Sequence, residues 1–349
     1  MLGFAMDALA TMGNWISENE SLLSGMAAMI VLAGVLWFPL GAAYRKLKQS
    51  NSSGHNGLAV DTPGEGSPER ITLKDLTAPS SHEIQFAQSD GVRIAFSDRG
   101  KGPPNLILAA GIINHLNIME HLPPWRDTLK ALSQFARVLN FDKRGQGLSD
   151  PTLNAPSLED RTRDIEAVMD AADLERAILV GVSEGGSTCI HFAHTHPERV
   201  QGLVLIGTTA KFMQSDDFPI GIPRQLLENL GNLWGTGKLR DIFFPSISRE
   251  QIDDKTYKAM EQLIGSRGAV RQVLEMMINT DVRSLLSEIT VPTLVIHFSG
   301  DLAIPIRLGR YIAENIPSAE FMEVPGVDHV DLSQSAEAVA RVRSFCEAI

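Results

Sequence analysis

The prediction of the fold rests on the segment Arg176-Ala-Ile-Leu-Val-Gly-Val-Ser-Glu-Gly-Gly-Ser187. An apolar run stops at a glycine, a helix-compatible segment follows, and between them lies the G-x-S-x-G pattern Gly181-Val-Ser-Glu-Gly185. Such a serine stands on a sharp strand-to-helix turn, where its hydroxyl is presented as a nucleophile. Gly181 and Gly185 leave room for the helix to pack against the strand, so that Oγ of Ser183 faces a cleft. A glycine-rich turn with an incidental serine has the same pattern. The rest of the chain must therefore decide between a nucleophilic and an incidental serine.

The composition bounds the class of protein. With 349 residues, of which 44% are apolar, the chain can bury a full core and suits one large domain with additional segments. A formal charge of −11 and the lack of a long basic stripe argue against nucleic-acid binding. The two cysteines, Cys189 and Cys346, are far apart, which gives neither a disulfide framework nor metal-ligand spacing and suits a reducing compartment.

An uncharged segment near the N-terminus predicts a membrane span. Residues 22–44 (LLSGMAAMIVLAGVLWFPLGAAY) are long enough to cross a hydrocarbon core of about 30 Å. A buried core helix is the alternative, but such a helix would have a polar face, and this segment has only Ser24 and scattered glycines. The preceding segment, residues 1–21, is acidic, and Arg45, Lys46 and Lys48 follow the span. The positive-inside rule then places the following chain in the cytoplasm, and we expect a single-pass protein of a bacterial inner membrane.

Residues 45–81 are predicted to be a basic juxtamembrane segment and a flexible linker. They are rich in Ser, Gly, Pro and Asn and lack apolar periodicity, which is typical of a tether. A globular domain is expected from residue 82 to residue 349.

Within this domain, strand and helix patterns alternate. An antiparallel hairpin is predicted at Glu83–Ala87 and Val92–Ser97, and further strands at 105–110, 136–141, 177–182, 201–206, 292–297 and 320–323. Helices are predicted at 124–135, 157–172, 187–195, 305–316 and 333–348. This alternation predicts a mostly parallel, doubly wound sheet.

The alternation stops at about residues 211–288, which contain only helical patterns. A helical insertion at this point would form a cap over the carboxyl edge of the sheet, where such folds bind ligands. Its apolar side chains either line an acyl pocket or pack the cap onto the core; they are Phe212, Phe218, Leu233, Trp234, Phe243, Phe244, Met276 and Met277.

Two further residues complete a candidate catalytic set. An activated serine needs a base, and the base needs an acid that fixes its tautomer. Asp301 follows one predicted strand and His329 follows the next, so both leave the sheet at the edge where Ser183 lies. The chain order Ser, Asp, His is that of the nucleophile-elbow hydrolases. Asp301 as a turn-initiating residue and His329 as a solvated loop histidine remain the alternatives.

An oxyanion needs two N–H donors near the nucleophile. The backbone N–H of Glu184 directly follows Ser183, and the N–H of Ile112 lies in the loop after the strand that ends at Ala110. We predict these two groups as the oxyanion hole.

Other polar residues are assigned structural roles. His191, His194 and His196 lie along and just past the helix after the elbow, and no acidic or cysteine partner completes a metal site, so no metal is predicted. His297 is expected in the core. Asp142 is expected to pair with Arg144 within its own glycine-rich loop.

These motifs carry a resemblance that covers residues from about 82 to 349. The order of the candidate triad, the loop Asp142-Lys-Arg-Gly-Gln-Gly-Leu-Ser-Asp150 and the helix exit His194-Thr-His-Pro-Glu-Arg-Val200 resemble the α/β-hydrolase superfamily. More narrowly, Phe141-Asp-Lys-Arg-Gly, Gly181-Val-Ser-Glu-Gly-Gly and Pro325-Gly-Val-Asp-His are similar to hydrolase domains found beside bacterial class III adenylate cyclase domains. Ala110-Gly111 stands where many superfamily members have His-Gly.

The resemblance and the motifs together predict a membrane-tethered serine hydrolase that cleaves a carboxylic ester through an acyl-enzyme. Ser183 would attack the carbonyl, His329 would take the proton and later activate water, and Asp301 would orient His329. No metal or organic cofactor is required, and the expected partner is a small acyl or ester substrate; protein partners stay open. The alternative is a ligand-sensing or regulatory domain with weak or no turnover, which an intact set of three residues disfavours.

Overall fold

The computed structural model describes residues 69–349. The predicted membrane span at residues 22–44 and the first part of the predicted linker lie outside the described residues. Within residues 69–349, no helix is both long and apolar enough to cross a bilayer.

An eight-stranded sheet forms the centre of the described chain, with the strand order β1-β2-β4-β3-β5-β6-β7-β8. The first two strands form the predicted antiparallel hairpin, β2 also pairs antiparallel with β4, and all remaining pairs are parallel. The prediction of a mostly parallel sheet is confirmed. The strands are β1 Ile84–Ser89, β2 Val92–Gly100, β3 Asn105–Ala109, β4 Arg137–Phe141, β5 Ala177–Val182, β6 Val200–Ile206, β7 Thr293–Phe298 and β8 Ala319–Val324.

The strands follow the sequence pattern because a parallel sheet is covered on both faces. Every residue of β5 is buried, as its unbroken apolar sequence predicts for a central parallel strand. The α-helices that accompany the sheet are α1 Leu73–Leu76, α2 Leu116–Met119, α3 Pro123–Ser133, α4 Leu158–Ala171, α5 Glu184–Thr195, α6 Arg224–Leu233, α7 Arg240–Phe243, α8 Asp254–Ile264, α9 Arg267–Asn279, α10 Ile306–Asn315 and α11 Ala336–Ala348.

Helix α5 begins earlier than the sequence pattern indicates. The prediction starts this helix at Ser187, whereas it begins at Glu184, directly after the elbow serine. The three residues Glu184-Gly-Gly186 have no apolar periodicity, so they look like a loop in the sequence. The turn at Ser183 is tight enough to pass from strand to helix without a loop between them.

Four helices, α6 to α9, lie between β6 and β7, in the interval that the sequence analysis assigns to a cap at about residues 211–288. A 3-10 helix at Arg283–Glu288 leads back to the sheet. Side chains from α8 and from the α6–α7 region line the same cavity as the carboxyl ends of β3 and β5. This insertion therefore roofs the edge where Ser183 lies.

Residues 69–81 are not the flexible linker that the sequence analysis assigns to them. They contain the short helix α1, whose N-terminus has a reciprocal capping box between Thr72 and Asp75. Ile71 and Leu76 are buried, and the N–H of Ile71 donates to the carbonyl of Gln251 at 2.8 Å. Two apolar anchors among polar residues are too few for a periodic pattern, but they are enough to dock the segment.

Candidate active site

Ser183 lies at the turn between β5 and α5 in a backbone conformation that side chains rarely adopt. Its φ is 54° and its ψ is −122°, and a non-glycine residue in this region costs of the order of 1–3 kcal/mol. The N–H of Ser183 donates to the carbonyl of Ile206 at 2.9 Å, which ties the turn to β6. The surrounding structure therefore fixes this residue in a conformation that it would not choose by itself.

The two elbow glycines allow the turn to be this tight. A Cβ on Gly181 would lie 2.6 Å from Cα of Gly186, and a Cβ on Gly185 would collide with the carbonyl oxygen of Ala109. Both positions therefore exclude any side chain. The close approach of α5 to β3 and β5 follows from this pair of glycines.

Asp301 and His329 are hydrogen-bonded to each other. Nδ1 of His329 lies 2.7 Å from Oδ2 of Asp301, and both side chains are almost completely buried. The other carboxylate oxygen, Oδ1, accepts hydrogen bonds from the N–H groups of Ala303 at 2.8 Å and Ile304 at 3.0 Å. These contacts fix the carboxylate and leave Nε2 of His329 as the free ring nitrogen.

The carboxylate of Asp301 is held in its charged form. Burial alone would raise its pKa, but the charge of His329 and hydrogen bonds from His297 and His329 outweigh burial, so the pKa of Asp301 is lowered from its usual value. A charged Asp301 accepts the Nδ1 proton of His329, and Nε2 then carries a lone pair.

Ser183 and His329 line the same cavity. Nε2 of His329 is buried and has no hydrogen-bond partner among residues 69–349, so the two side chains share the cavity without a direct hydrogen bond. Catalytic hydrogen bonds are often long in the free enzyme and tighten when substrate binds. The structure thus brings the three predicted residues to one edge, where His329, whose Nε2 has no partner in the described part of the chain, lines the same cavity as Ser183.

The loop after β3 runs beside the serine. A Cβ on Gly111 would lie 3.0 Å from Cβ and 3.4 Å from Oγ of Ser183, and Gly111 and Ile112 line the same cavity. Glu184, whose N–H is the other predicted oxyanion donor, is the first residue of α5, where backbone N–H groups have no partner within the helix. The residues that carry both predicted donors therefore lie close to Ser183.

The cavity has a volume of about 80 Å³. Its lining is mainly apolar and combines the core with the cap. Of the eight cap residues proposed for an acyl pocket, Trp234, Phe243 and Phe244 line the cavity, together with Met260 and Ile264 of α8. Phe212, Phe218, Leu233, Met276 and Met277 are not among its lining residues.

The family assignment follows from the match of this chain to a family model. The model of the Hydrolase_4 family, described as "Serine aminopeptidase, S33", matches residues 105–330, which include all three candidate triad residues. The chain is an α/β-hydrolase of this family.

Several known proteins are similar to this α/β-hydrolase. The non-heme chloroperoxidase CPO-A1 of Kitasatospora aureofaciens is 29% identical over 256 residues, which cover 69% of this chain and 90% of that protein. The karrikin insensitive 2 receptor IA of Petunia hybrida is 24% identical over 64% of this chain and 83% of the receptor. The crystal structure of a hydrolase from Pseudomonas aeruginosa PA01 superimposes with a TM-score of 0.64 at 26% identity and covers 76% of this chain and 99% of that one.

The loop that contains the motif D-K-R-G differs from the expectation in one respect. Asp142 does not pair with Arg144; its carboxylate accepts hydrogen bonds from Nδ2 of Asn114 at 2.8 Å and from the N–H groups of Leu116 and Leu148. Arg144 instead pairs with Asp164 of α4 at 2.8 Å. The expectation was wrong because the loop turns the two side chains apart. Burial raises the pKa of Asp142 to about 7, although these hydrogen bonds lower it.

His297 has a place beside the acid that the sequence analysis did not assign. It is fully buried, as expected, but its Nε2 lies 2.7 Å from the carbonyl of Ile304 and 3.5 Å from Oδ2 of Asp301. The spacing of four residues between His297 and Asp301 was the signal in the sequence for this proximity.

The α/β-hydrolase also buries a lysine next to the candidate site. Lys143, the neighbour of Asp142 in the chain, forms an ion pair with Glu184 and donates to two carbonyl groups of the loop after β3. In the sequence, the opposite charges of Lys143 and Glu184, each in a motif, were the only signal for this pair.

The three histidines of the α5 region lie elsewhere; His191 and His194 line a separate surface groove. In the described part of the chain, no cluster of side chains could hold a metal ion.

The cap contacts the loop of His329 directly. The N–H of His329 donates to the carbonyl of Phe243 at 2.8 Å, and the two rings lie 5.8 Å apart. Asp328 accepts a hydrogen bond from the N–H of Ser246 at 2.9 Å and a second one from its hydroxyl. The position of the candidate base therefore depends on the cap as well as on the sheet.

Proposed function

We propose that this protein is a membrane-tethered serine hydrolase that cleaves carboxylic esters through an acyl-enzyme. The observation that carries the proposal is the buried hydrogen bond between Asp301 and His329, because His329 lines the same cavity as Ser183 and its Nε2 has no hydrogen-bond partner among the described residues. A general base needs this arrangement: an oriented ring, a fixed tautomer and an available lone pair.

The chemistry follows from these positions. Oγ of Ser183 attacks the ester carbonyl while Nε2 of His329 takes its proton, and Asp301 stabilises the imidazolium through Nδ1. The N–H groups of Ile112 and Glu184 hold the oxyanion. His329 then gives its proton to the leaving alcohol, and in the second half of the reaction it activates water to hydrolyse the acyl-serine. Metal or organic cofactors are not required for these steps.

The cavity supports a neutral, compact acyl group as substrate. Its aromatic and aliphatic lining favours apolar groups because they leave water on binding. Its volume of about 80 Å³ is several times the roughly 10–15 Å³ that a single water requires by a comparable measure. Short acyl chains fit this space, whereas a long chain requires movement of the cap.

A panel of p-nitrophenyl esters tests the proposal. We expect saturable turnover that is highest for acetate or butyrate and falls for octanoate and palmitate. The absence of turnover for all four esters, with protein that is folded by circular dichroism, would argue against an esterase.

A second candidate is a ligand-sensing or regulatory domain with weak turnover. The similarity to a plant receptor and the resemblance to cyclase-linked hydrolase domains favour it. Calorimetry separates the two functions: a sensor binds an intact ester or a related ligand stoichiometrically and releases no alcohol, while an enzyme releases alcohol over many turnovers.

The tether belongs to the proposal because residues 22–44 have the composition of a membrane span. Removal of residues 1–49 should give a soluble protein with unchanged turnover of p-nitrophenyl acetate. In intact bacterial cells, protease added from outside should leave the hydrolase domain intact. Digestion from the outer side would contradict the cytoplasmic orientation.

A further inference from the structure

Lys143 uses all of its hydrogen-bonding capacity on the two sides of the candidate oxyanion hole. An ammonium group has three N–H donors. Nζ of Lys143 lies 2.9 Å from the carbonyl oxygen of Ala110 and 2.6 Å from that of Gly111, and it forms an ion pair with Oε2 of Glu184. The lysine and glutamate side chains are both almost fully buried.

The contact with Gly111 fixes a donor through the peptide plane. The carbonyl of Gly111 and the N–H of Ile112 belong to the same amide, and in a planar trans peptide they point in opposite directions. A cation that holds the carbonyl therefore sets the direction of the N–H. It also polarises the amide, which strengthens the N–H as a donor.

The ion pair with Glu184 constrains the residue that supplies the second donor. The side chain of Glu184 pairs with Lys143, and the backbone N–H of Glu184 follows Ser183 at the start of α5. One ammonium group thus connects the residue that supplies one donor to the peptide that supplies the other. The N–H groups of an oxyanion hole must be preorganised because they act without rearrangement during the reaction.

We propose that Lys143 is a positioning residue that holds the two oxyanion donors, Ile112 N–H and Glu184 N–H, at a fixed separation. This inference rests on the proposed function, because it assumes that Ser183 forms a tetrahedral intermediate. It assigns Lys143 no direct contact with the substrate.

A general role in stability explains the contacts less well. A buried ion pair often contributes little net stability, because desolvation offsets the attraction between the charges. The same chain has a second buried pair, Arg99 and Glu120, 2.7 Å apart. The other hydrogen bonds of these two side chains are with Ser97 and Ser81, and Glu120 also lies 3.5 Å from His82. That pair is a matched control for burial and charge without contact to the oxyanion donors.

Titration of the lysine gives an independent readout. Burial lowers the pKa of Lys143 to about 8; Arg161 also lowers it, while Glu184 and Asp142 raise it. Loss of the proton removes one donor and the charge. The kcat of the wild-type enzyme is therefore expected to fall as pH rises through about 8.

Lys143→Met is the first test, with p-nitrophenyl acetate as substrate. A displacement of the donors by about 1 Å predicts a loss in kcat of about 10²-fold, while KM stays within about threefold because the apolar cavity is untouched. The alkaline fall in kcat should disappear in this variant. A kcat close to that of the wild type, or an alkaline fall that persists unchanged, overturns the proposal.

The double variant Lys143→Met/Glu184→Met separates positioning from stability. It removes both charges of the pair, so its thermal midpoint should lie closer to that of the wild type than the midpoint of Lys143→Met does, whereas kcat should stay about 10²-fold low. The control Arg99→Met/Glu120→Met should keep kcat within about twofold. Recovery of kcat together with stability in the Lys143/Glu184 double variant would reduce the pair to a structural role.

Ser183→Ala, measured in parallel, separates a failure of the proposed function from a failure of the positioning role of Lys143. If Ser183→Ala retains turnover, the proposed function fails and the role of Lys143 fails with it. If Ser183→Ala is inactive but Lys143→Met is fully active, only the positioning role is refuted.

Discussion

Nδ1 of His329 lies 2.7 Å from Oδ2 of Asp301, and both residues are buried. The two residues leave neighbouring parallel strands, β7 and β8, at the same edge of the sheet. This relationship positions the candidate base and makes Asp301 the first residue to test.

Asp301→Asn should lower kcat by roughly 10⁴-fold at little change in fold. The amide has nearly the same shape, but it permits the wrong tautomer of His329 and cannot stabilise the imidazolium. Steady-state kinetics with p-nitrophenyl acetate and circular dichroism measure the two effects.

Asp142→Asn is the matched control, since Asp142 also follows a strand at this edge. It should lower the free energy of unfolding by about 1–3 kcal/mol, because an amide nitrogen cannot accept the buried hydrogen bonds from Leu116 and Leu148. Its kcat should change little. Loss of turnover in Asp142→Asn at unchanged stability, with an active Asp301→Asn, would require a different acid.

Much of this arrangement was predictable from the sequence because it is local. The G-x-S-x-G pattern fixes Ser183 on a strand-to-helix turn, and the chain order places Asp301 and His329 after successive strands. Side-chain contacts across the sheet were not predictable in the same way. Lys143 meets Glu184 because β3 lies between β4 and β5, and no pattern along the chain states this strand order.

The same reasoning explains the errors. Arg144 turns towards α4, while Asp142 turns towards the loop that contains Asn114, and proximity in sequence suggested a pair that does not form. Residues 69–81 dock through two apolar side chains, too few to be distinguished from a linker by composition.

Asp328→Ala should make the position of His329 less fixed, because it removes hydrogen bonds between the loop of His329 and the cap. Asp328 is buried and accepts two hydrogen bonds from Ser246, next to the segment whose carbonyl holds the N–H of His329. We expect kcat to fall about tenfold as the ring loses its position, together with a loss of stability of about 1–3 kcal/mol.

Asp331→Ala is the control for this effect. Asp331 follows His329 by two residues in the chain and accepts hydrogen bonds from Ser333 and Gln334, with none from the cap; Gln334 also donates to Asp328. It should reduce stability and leave kcat near that of the wild type. Equal losses of kcat in Asp328→Ala and Asp331→Ala would refute a specific role for the cap contact.

The gain in stability of Glu261→Gln over the wild type should be larger at alkaline pH than at acidic pH. Burial raises the pKa of Glu261 to about 7, although a hydrogen bond from the N–H of Gly237 lowers it. Between its ordinary pKa and about 7, the native state binds more protons than the unfolded state. The contribution of this group to stability therefore falls as pH rises through that window.

Glutamine keeps an acceptor for Gly237 and cannot ionise. The difference in unfolding free energy between Glu261→Gln and the wild type should be about 1–3 kcal/mol more favourable at pH 8 than at pH 5, measured by urea denaturation. Glu275→Gln, on an exposed position of α9, serves as control. A difference that is the same at both pH values would show that Glu261 does not titrate as described.

Covalent labelling tests whether Ser183 is the nucleophile. Wild-type protein is treated with a fluorophosphonate, and the adduct is located by intact mass and peptide mapping, alongside Ser183→Ala and the control Ser187→Ala, whose hydroxyl instead donates to the carbonyl of Thr209. We predict one adduct, on Ser183, in the wild type and in Ser187→Ala. Ser183→Ala should give no adduct and lose up to about 10⁶-fold in kcat. Labelling of Ser183→Ala at the wild-type rate, or an adduct on another residue, would show that Ser183 is not the nucleophile.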